Sequence, residues 1–291
     1  VESQSGFGQP ELIVFEHPRF YVQVLVWLDG TTDIHQHTFS GAFHVMEGSS
    51  IHSRFAFRDA EAVSAHLQVG RLQRLDTQLL EKGSTVEIVS GKEFVHALFH
   101  LETPSVTVVV RTHTDPGTGP QFTYLPPHIA VDPFQSDLLT ARRKQALDML
   151  EVVGDPSYPS LVCEMLQTLD FERGFFILQN GLVHLRATGF WEDAWDVFQA
   201  KHGRLADFVL PTLEEILRRD AVAALRGSVT DVDHRYFLAL ILNQVEREDL
   251  LRLVQLRHPG DALETLQRWQ VELEETHDDA AWVLEGVVAT L

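Results

Sequence analysis

With 291 residues, 44% of them hydrophobic, the chain can bury a full core, and its length suits one large domain or two modest ones. A formal charge of -19 and an isoelectric point near 5.1 exclude a nucleic-acid phosphate backbone or an anionic membrane as the main partner, because either would repel such a surface. Cys163 is the single cysteine, which excludes an internal disulfide, a thiolate zinc cluster and a Cys-x-x-Cys redox pair; a metal, if held, must be held by histidine and carboxylate.

No apolar run approaches the roughly 20 residues that span a bilayer, and the first residues show neither a charged n-region nor an apolar h-region. A cytoplasmic protein is expected. From Phe15 to Phe122 the apolar residues fall in short runs rich in Val, Phe and Thr: "FYVQVLVWL", "GAFHVMEG", "HSRFAF", "STVEIV", "FVHALFHL" and "SVTVVVR". Their spacing, with Gly, Asp, Ser or Pro between them, predicts a β-sandwich or small barrel. "EKGSTVEIVSGKE" has the turn chemistry of a hairpin, and "DPGTGP" reads as a turn because it lacks the strand-to-helix setting of a phosphate loop.

After a Pro- and Gly-dense stretch ending near Phe134 the period changes to that of helices, as in "PTLEEILRRDAVAALRG". Seven or eight helices packed as a bundle are predicted, with Ser136, Asp231 and Asp261 as N-caps and the aromatic residues of "FERGFFILQN" and "GFWEDAWDVF" as core. The expected organisation is α+β and multi-domain: an antiparallel β-barrel over residues 1–134 and an all-α domain over 135–291.

The chemistry concentrates in "DIHQHTFSGAFHVMEG", Asp33 to Gly48. Side chains alternate across a strand, so His35 and His37 project to one face and Gln36 to the other. In "SGKEFVHALFHL" a second strand places Phe94, His96, Leu98 and His100 on one face. Buried histidines among Phe and Leu must be satisfied by hydrogen bonds or by a metal. Three imidazoles converging in a barrel would make a facial set with open positions, suited to Fe(II) or another divalent first-row ion. Regular alternation turns His44 away from this face, and His113 and Tyr124 flank the barrel exit.

These residues resemble the cupin superfamily, whose first motif combines a Gly, a His-x-His pair, usually a Glu, and a closing Gly; Gly30, His35, His37 and Gly48 stand at compatible spacing. The second motif supplies a further histidine, matched by His96. The resemblance covers residues 20 to about 112, and the Pro-x-Gly that normally precedes the third histidine is absent. Gly41 stands where most metal cupins carry the Glu, a pattern similar to the thiol dioxygenase branch.

The resemblance implies a jelly-roll barrel whose metal is held by His35, His37 and His96, and a mononuclear non-haem iron oxygenase acting with dioxygen on a small thiol or amino-acid derivative. Fe(II) is the expected ion, with Ni, Mn or Zn as alternatives. That branch carries a Ser-x-His-x-Tyr set on the following strand, where this chain offers Thr107, Val109 and Arg111. Arg111 would clamp a substrate carboxylate, and His100 would serve as a second catalytic or orienting group. Two other function classes stay open: a non-redox metal cupin such as an isomerase or decarboxylase, and a non-enzymatic ligand-binding or sensor module. A homodimer is expected by analogy alone.

Overall fold

The computed structural model describes residues 8, 10–28, 30–135, 137–243, 246–277 and 280–284. Its strands are β1 (Glu11–His17), β2 (Phe20–Trp27), β3 (Ile34–His37), β4 (Gly41–Glu47), β5 (Ser50–Ala62), β6 (Leu67–Leu80), β7 (Thr85–Ile88), β8 (Gly91–His100), β9 (Ser105–Thr112), β10 (Thr123–Leu125) and β11 (Ile129–Val131). The helices follow: α1 (Leu138–Val153), α2 (Tyr158–Thr168), α3 (Phe171–Thr188), α4 (Trp191–His202), α5 (Val209–Ser228), α6 (Val232–Leu242), α7 (Arg247–Arg257), α8 (Ala262–Thr276) and α9 (Ala280–Leu284). A 3-10 turn, Gly203–Phe208, precedes α5.

Five strands form a sheet in the order β1-β2-β9-β4-β7, and six form a closed barrel in the order β10-β11-β6-β5-β8-β3. The chain is therefore α+β, a barrel followed by helices, as the change of period predicts. The expected hairpin around β7 is replaced by a crossing between sheets, since β7 pairs with β4 while β8 belongs to the barrel. The turns themselves are present, with Gly83 and Gly91 at positive φ.

Strands give way to helices between Val131 and Leu138, near the expected boundary at 134. Compactness follows another partition: one unit comprises Val1–Ala56, Gln73–Gln121 and Leu217–Leu291, the other Phe57–Leu72 and Phe122–Ile216. In the first unit, β8 is buried on both faces. Phe94 and Leu98 join Trp27, Phe39, Phe43 and Val109 in an interior cluster, while Phe99 and Leu101, with Ile51 of β5, join Val222, Leu225, Tyr236, Phe237 and Leu240. That double burial makes "FVHALFHL" a nearly continuous apolar run. Two buried arginines tie the helices to the same strand end: Arg226 donates to the carbonyl of His100 (2.9 Å), and Arg235 to those of Leu101 (3.2 Å) and Val229 (2.7 Å). Asp231 and Asp261 cap α6 and α8 through backbone N–H groups at 2.9 to 3.1 Å, as expected.

In the second unit, Leu147, Tyr158, Val162, Leu166, Phe171, Phe175, Leu178, Trp191 and Phe198 are buried, so most of the aromatic residues of α3 and α4 are core. Asp137 caps α1; Ser136, the expected cap, lies outside the described residues.

Because Ile51, Phe99 and Leu101 share their core with α5 and α6, a chain ending at residue 134 would expose them. Fully burying a side chain of this size contributes about 1.5–3 kcal/mol. Residues 1–134 alone are expected to show no cooperative thermal transition by circular dichroism. A transition at the full-length Tm would contradict the shared core.

Candidate metal centre

The first two histidines stand on β3 and the third on β8, and the pairing of these strands is irregular. His35 faces His96, whereas His37, two residues further on, faces Gly91, five residues back. This bulge lets Phe94 press its ring against His96 (centroids 4.6 Å) and stack beside His37 (6.3 Å). The structure brings His35, His37 and His96 together: one ring nitrogen from each lies within 4.8 Å of the others, and the residues are 4%, 8% and 3% exposed. Gln36 is also buried, its amide donating to the carbonyl of Pro120 at 2.8 Å.

The hydrogen bonds assign the lone pairs. His35 Nδ1 lies 2.8 Å from the carbonyl oxygen of Asp33, which can only accept, so Nδ1 carries the proton and Nε2 the lone pair. His96 Nδ1 lies 3.1 Å from His52 Nε2, and His96 Nε2 lies 2.9 Å from His37 Nε2. The consistent chain has His37 Nε2–H donating to His96 Nε2 and His96 Nδ1–H donating to His52 Nε2. His37 Nδ1 is then buried without a partner among the described residues.

Two nitrogens each about 2.1 Å from one ion are about 3.0 Å apart at a right angle and about 3.4 Å apart at a tetrahedral angle. At 2.9 Å, His37 and His96 stand close enough to share one ion. The three residues fit a divalent first-row ion.

Burial holds all three imidazoles neutral. Desolvation lowers the pKa of His35, and it lowers those of His37 and His96 well below the usual value; neighbouring imidazoles lower these two further, and Arg111 does so for His37, Arg54 for His96. His52, 2% exposed, is pushed by desolvation to about 4.

Gly41 has no room for a side chain. It opens β4 opposite Arg111 of β9, and a Cβ there would stand 2.0 Å from the carbonyl oxygen of Val110 and 2.8 Å from Cα of Arg111. No side chain fits without moving β9.

Arg111 is half-buried, its guanidinium 3.2 Å from the centroid of Phe39, whose ring lies 4.3 Å from that of His37. His100 is not among the three convergent histidines. Its Nδ1 is engaged by the hydroxyls of Ser50 (2.9 Å) and Ser105 (2.8 Å), its ring stacks on Trp27 (4.4 Å), and desolvation pushes its pKa to about 3. His44 binds Thr85 Oγ1 at 2.8 Å, and His113 binds the carbonyl of His17 at 3.1 Å; neither belongs to the cluster. Tyr124 is buried beside Phe57 in the second unit.

Two residues escaped the sequence reading. His52 and Arg54 alternate on β5, and Arg54 faces His96 across the β5–β8 pair. Their signal in the sequence is the His-x-Arg spacing of "IHSRFAF".

No protein-family profile matches the chain, and no curated protein does. Among solved structures it is similar to a hydroquinone 1,2-dioxygenase from a Sphingomonas species with 4-hydroxybenzoate bound (11% identity, TM-score 0.29, 37% of this chain and 68% of that one). It is also similar to KdgF from a Halomonas species (13% identity, TM-score 0.27, 40% and 87%) and to a cupin-2 domain protein from Shewanella frigidimarina (18% identity, TM-score 0.24, 35% and 79%). At TM-scores this low the site is read from its own geometry.

Gly41→Glu is expected to lower the thermal midpoint without adding metal affinity; a stable variant with tighter binding would contradict the close approach of β9. A second outcome concerns acid. His35, His37, His52, His96 and His100 have folded-state pKa values below the unfolded value of about 6.5, so the unfolded chain takes up protons first as pH falls. Their effect is absent above about pH 6.5 and destabilises progressively below it, towards about 4 for His52 and about 3 for His100. Each contributes up to about 1.4 kcal/mol per pH unit in that window. Urea unfolding of chelator-treated protein from pH 7 to 5 is expected to show falling stability, and a flat profile would contradict neutral burial.

Proposed function

We propose that the chain is a metal-dependent cupin acting as a mononuclear non-haem iron oxygenase, similar to the thiol dioxygenases, on a small thiol or amino-acid derivative. The carrying observation is the set of three convergent neutral imidazoles with the fourth, carboxylate position closed by the backbone at Gly41. His35, His37 and His96 would hold the ion. Bound Fe(II) would keep its full charge against three neutral donors and would supply dioxygen chemistry beside an anionic substrate group.

The protein's own part is positional. The Asp33 carbonyl fixes the ring of His35, and His52 fixes that of His96, each by a hydrogen bond to the nitrogen not turned toward the centre. Phe39, Phe43 and Phe94 wall the imidazoles and exclude water. Arg111 would orient a substrate carboxylate. On β9 Thr107 accepts from Trp27 Nε1 (3.2 Å) and Val109 is core, so that strand offers no proton relay. His52 stands one hydrogen bond from His96.

The absent relay favours a second reading, non-redox metal chemistry such as isomerisation or decarboxylation. Metal analysis of chelator-free protein beside His96→Ala, then oxygen uptake after anaerobic Fe(II) loading with a panel of thiols and amino acids, separates the two. About one ion per chain, lost in the variant, with substrate-dependent uptake is expected. Bound metal without uptake would favour the second reading, and no metal in either protein would overturn both.

A further inference from the structure

We propose that this centre takes a small organic dianion, one anionic group held by Arg111 beside His37 and the other by Arg54 at the solvent side of His96. The inference rests on the metal-site reading and names its substrate class.

Arg54 stands opposite His96 on the neighbouring strand, so the two side chains leave the same face of the barrel wall. Its guanidinium lies 5.4 Å from the centroid of Phe94, whose ring lies 4.6 Å from that of His96. Arg111 repeats the arrangement beside His37, 3.2 Å from Phe39, which lies 4.3 Å from His37. Each guanidinium is thus one phenyl ring away from an imidazole of the centre. Arg54 is exposed and Arg111 half-buried.

Neither arginine forms an ion pair with a carboxylate among the described residues, although Asp and Glu number 42 against 23 Lys and Arg. The residues opposite Arg111 are Gly41 and Tyr21, neither an acid. Several cations elsewhere are matched. A cavity of about 1200 Å³ in the same unit is lined by Lys82, Arg252 and Arg257, and these pair with Glu47 (2.7 Å), Asp249 (3.3 Å) and Asp233 (3.4 Å). Arg204 likewise pairs with Glu61 at 2.9 Å.

Glu11 acts on Arg111 and Asp76 on the neighbouring His52 only beyond ion-pair distance, so neither guanidinium has a carboxylate bound to it among the described residues, and a divalent ion would add two more positive charges. Charge-assisted hydrogen bonds from Arg to a carboxylate are the interaction best suited to such a gap. Two of them, approaching from two sides, select a molecule with an anionic group at each end.

The test compares malonate, succinate and glutarate with butyrate by titration calorimetry and thermal shift, on full-length protein at low ionic strength, both chelator-treated and Zn(II)-loaded. At least one dicarboxylate is expected to bind about tenfold or more tightly than butyrate, from the usual strength of a charged hydrogen bond. Arg54→Gln should abolish that preference, bringing the dicarboxylate down to the affinity of butyrate. Arg111→Gln should weaken both, with partial recovery in Arg111→Lys. Equal binding of dicarboxylate and butyrate by the wild type, or a preference that survives Arg54→Gln, would overturn the proposal. Metal retained without anion discrimination sinks this inference alone, whereas anion discrimination without metal retention sinks the metal reading alone.

Discussion

Three imidazoles are buried around one point with no carboxylate among them, and the rest of the first unit is arranged to make that tolerable. Each buried polar ring must find partners or an ion. The Asp33 carbonyl and His52 supply two of the partners, the Phe39, Phe43 and Phe94 rings exclude water, and desolvation keeps the nitrogens unprotonated. A charged imidazolium in the same place would be far more costly, so neutrality and burial imply each other.

The backbone is what makes the set convergent. The bulge between β3 and β8 sets His37 against His96, and the close approach of β9 to Gly41 leaves no room for a side chain there. Strand β8 also carries the load on its other face, where Phe99 and Leu101 lie in the helical core and Arg226 and Arg235 bond its last carbonyls. The C-terminal helices of this unit thereby brace the strand that presents His96.

Much of this was legible in local patterns. His35 and His37 one residue apart in a strand and His96 on a later strand survive as geometry, and Asp231 and Asp261 cap as their positions predict. What escaped depends on pairing between distant segments. The β3–β8 bulge, the placing of His52 and Arg54 beside His96, and the separation of β7 from β8 into different sheets leave no trace in the period of a single strand. For the same reason a boundary drawn at 134 marks a change of secondary structure, whereas compactness joins Leu217–Leu291 to the strands.

The central claim is that burial holds three convergent imidazoles neutral and ready for an ion. Calorimetric titration of chelator-treated protein with Co(II) between pH 7.5 and 5.5 tests it most directly. The account predicts one ion per chain and an affinity nearly independent of pH over that range, because the imidazoles are already neutral and His37 has only to shift its proton from Nε2 to its unpartnered Nδ1. An affinity falling tenfold or more per pH unit below about 6.5, as for imidazoles of ordinary pKa, or no binding at all, would contradict it.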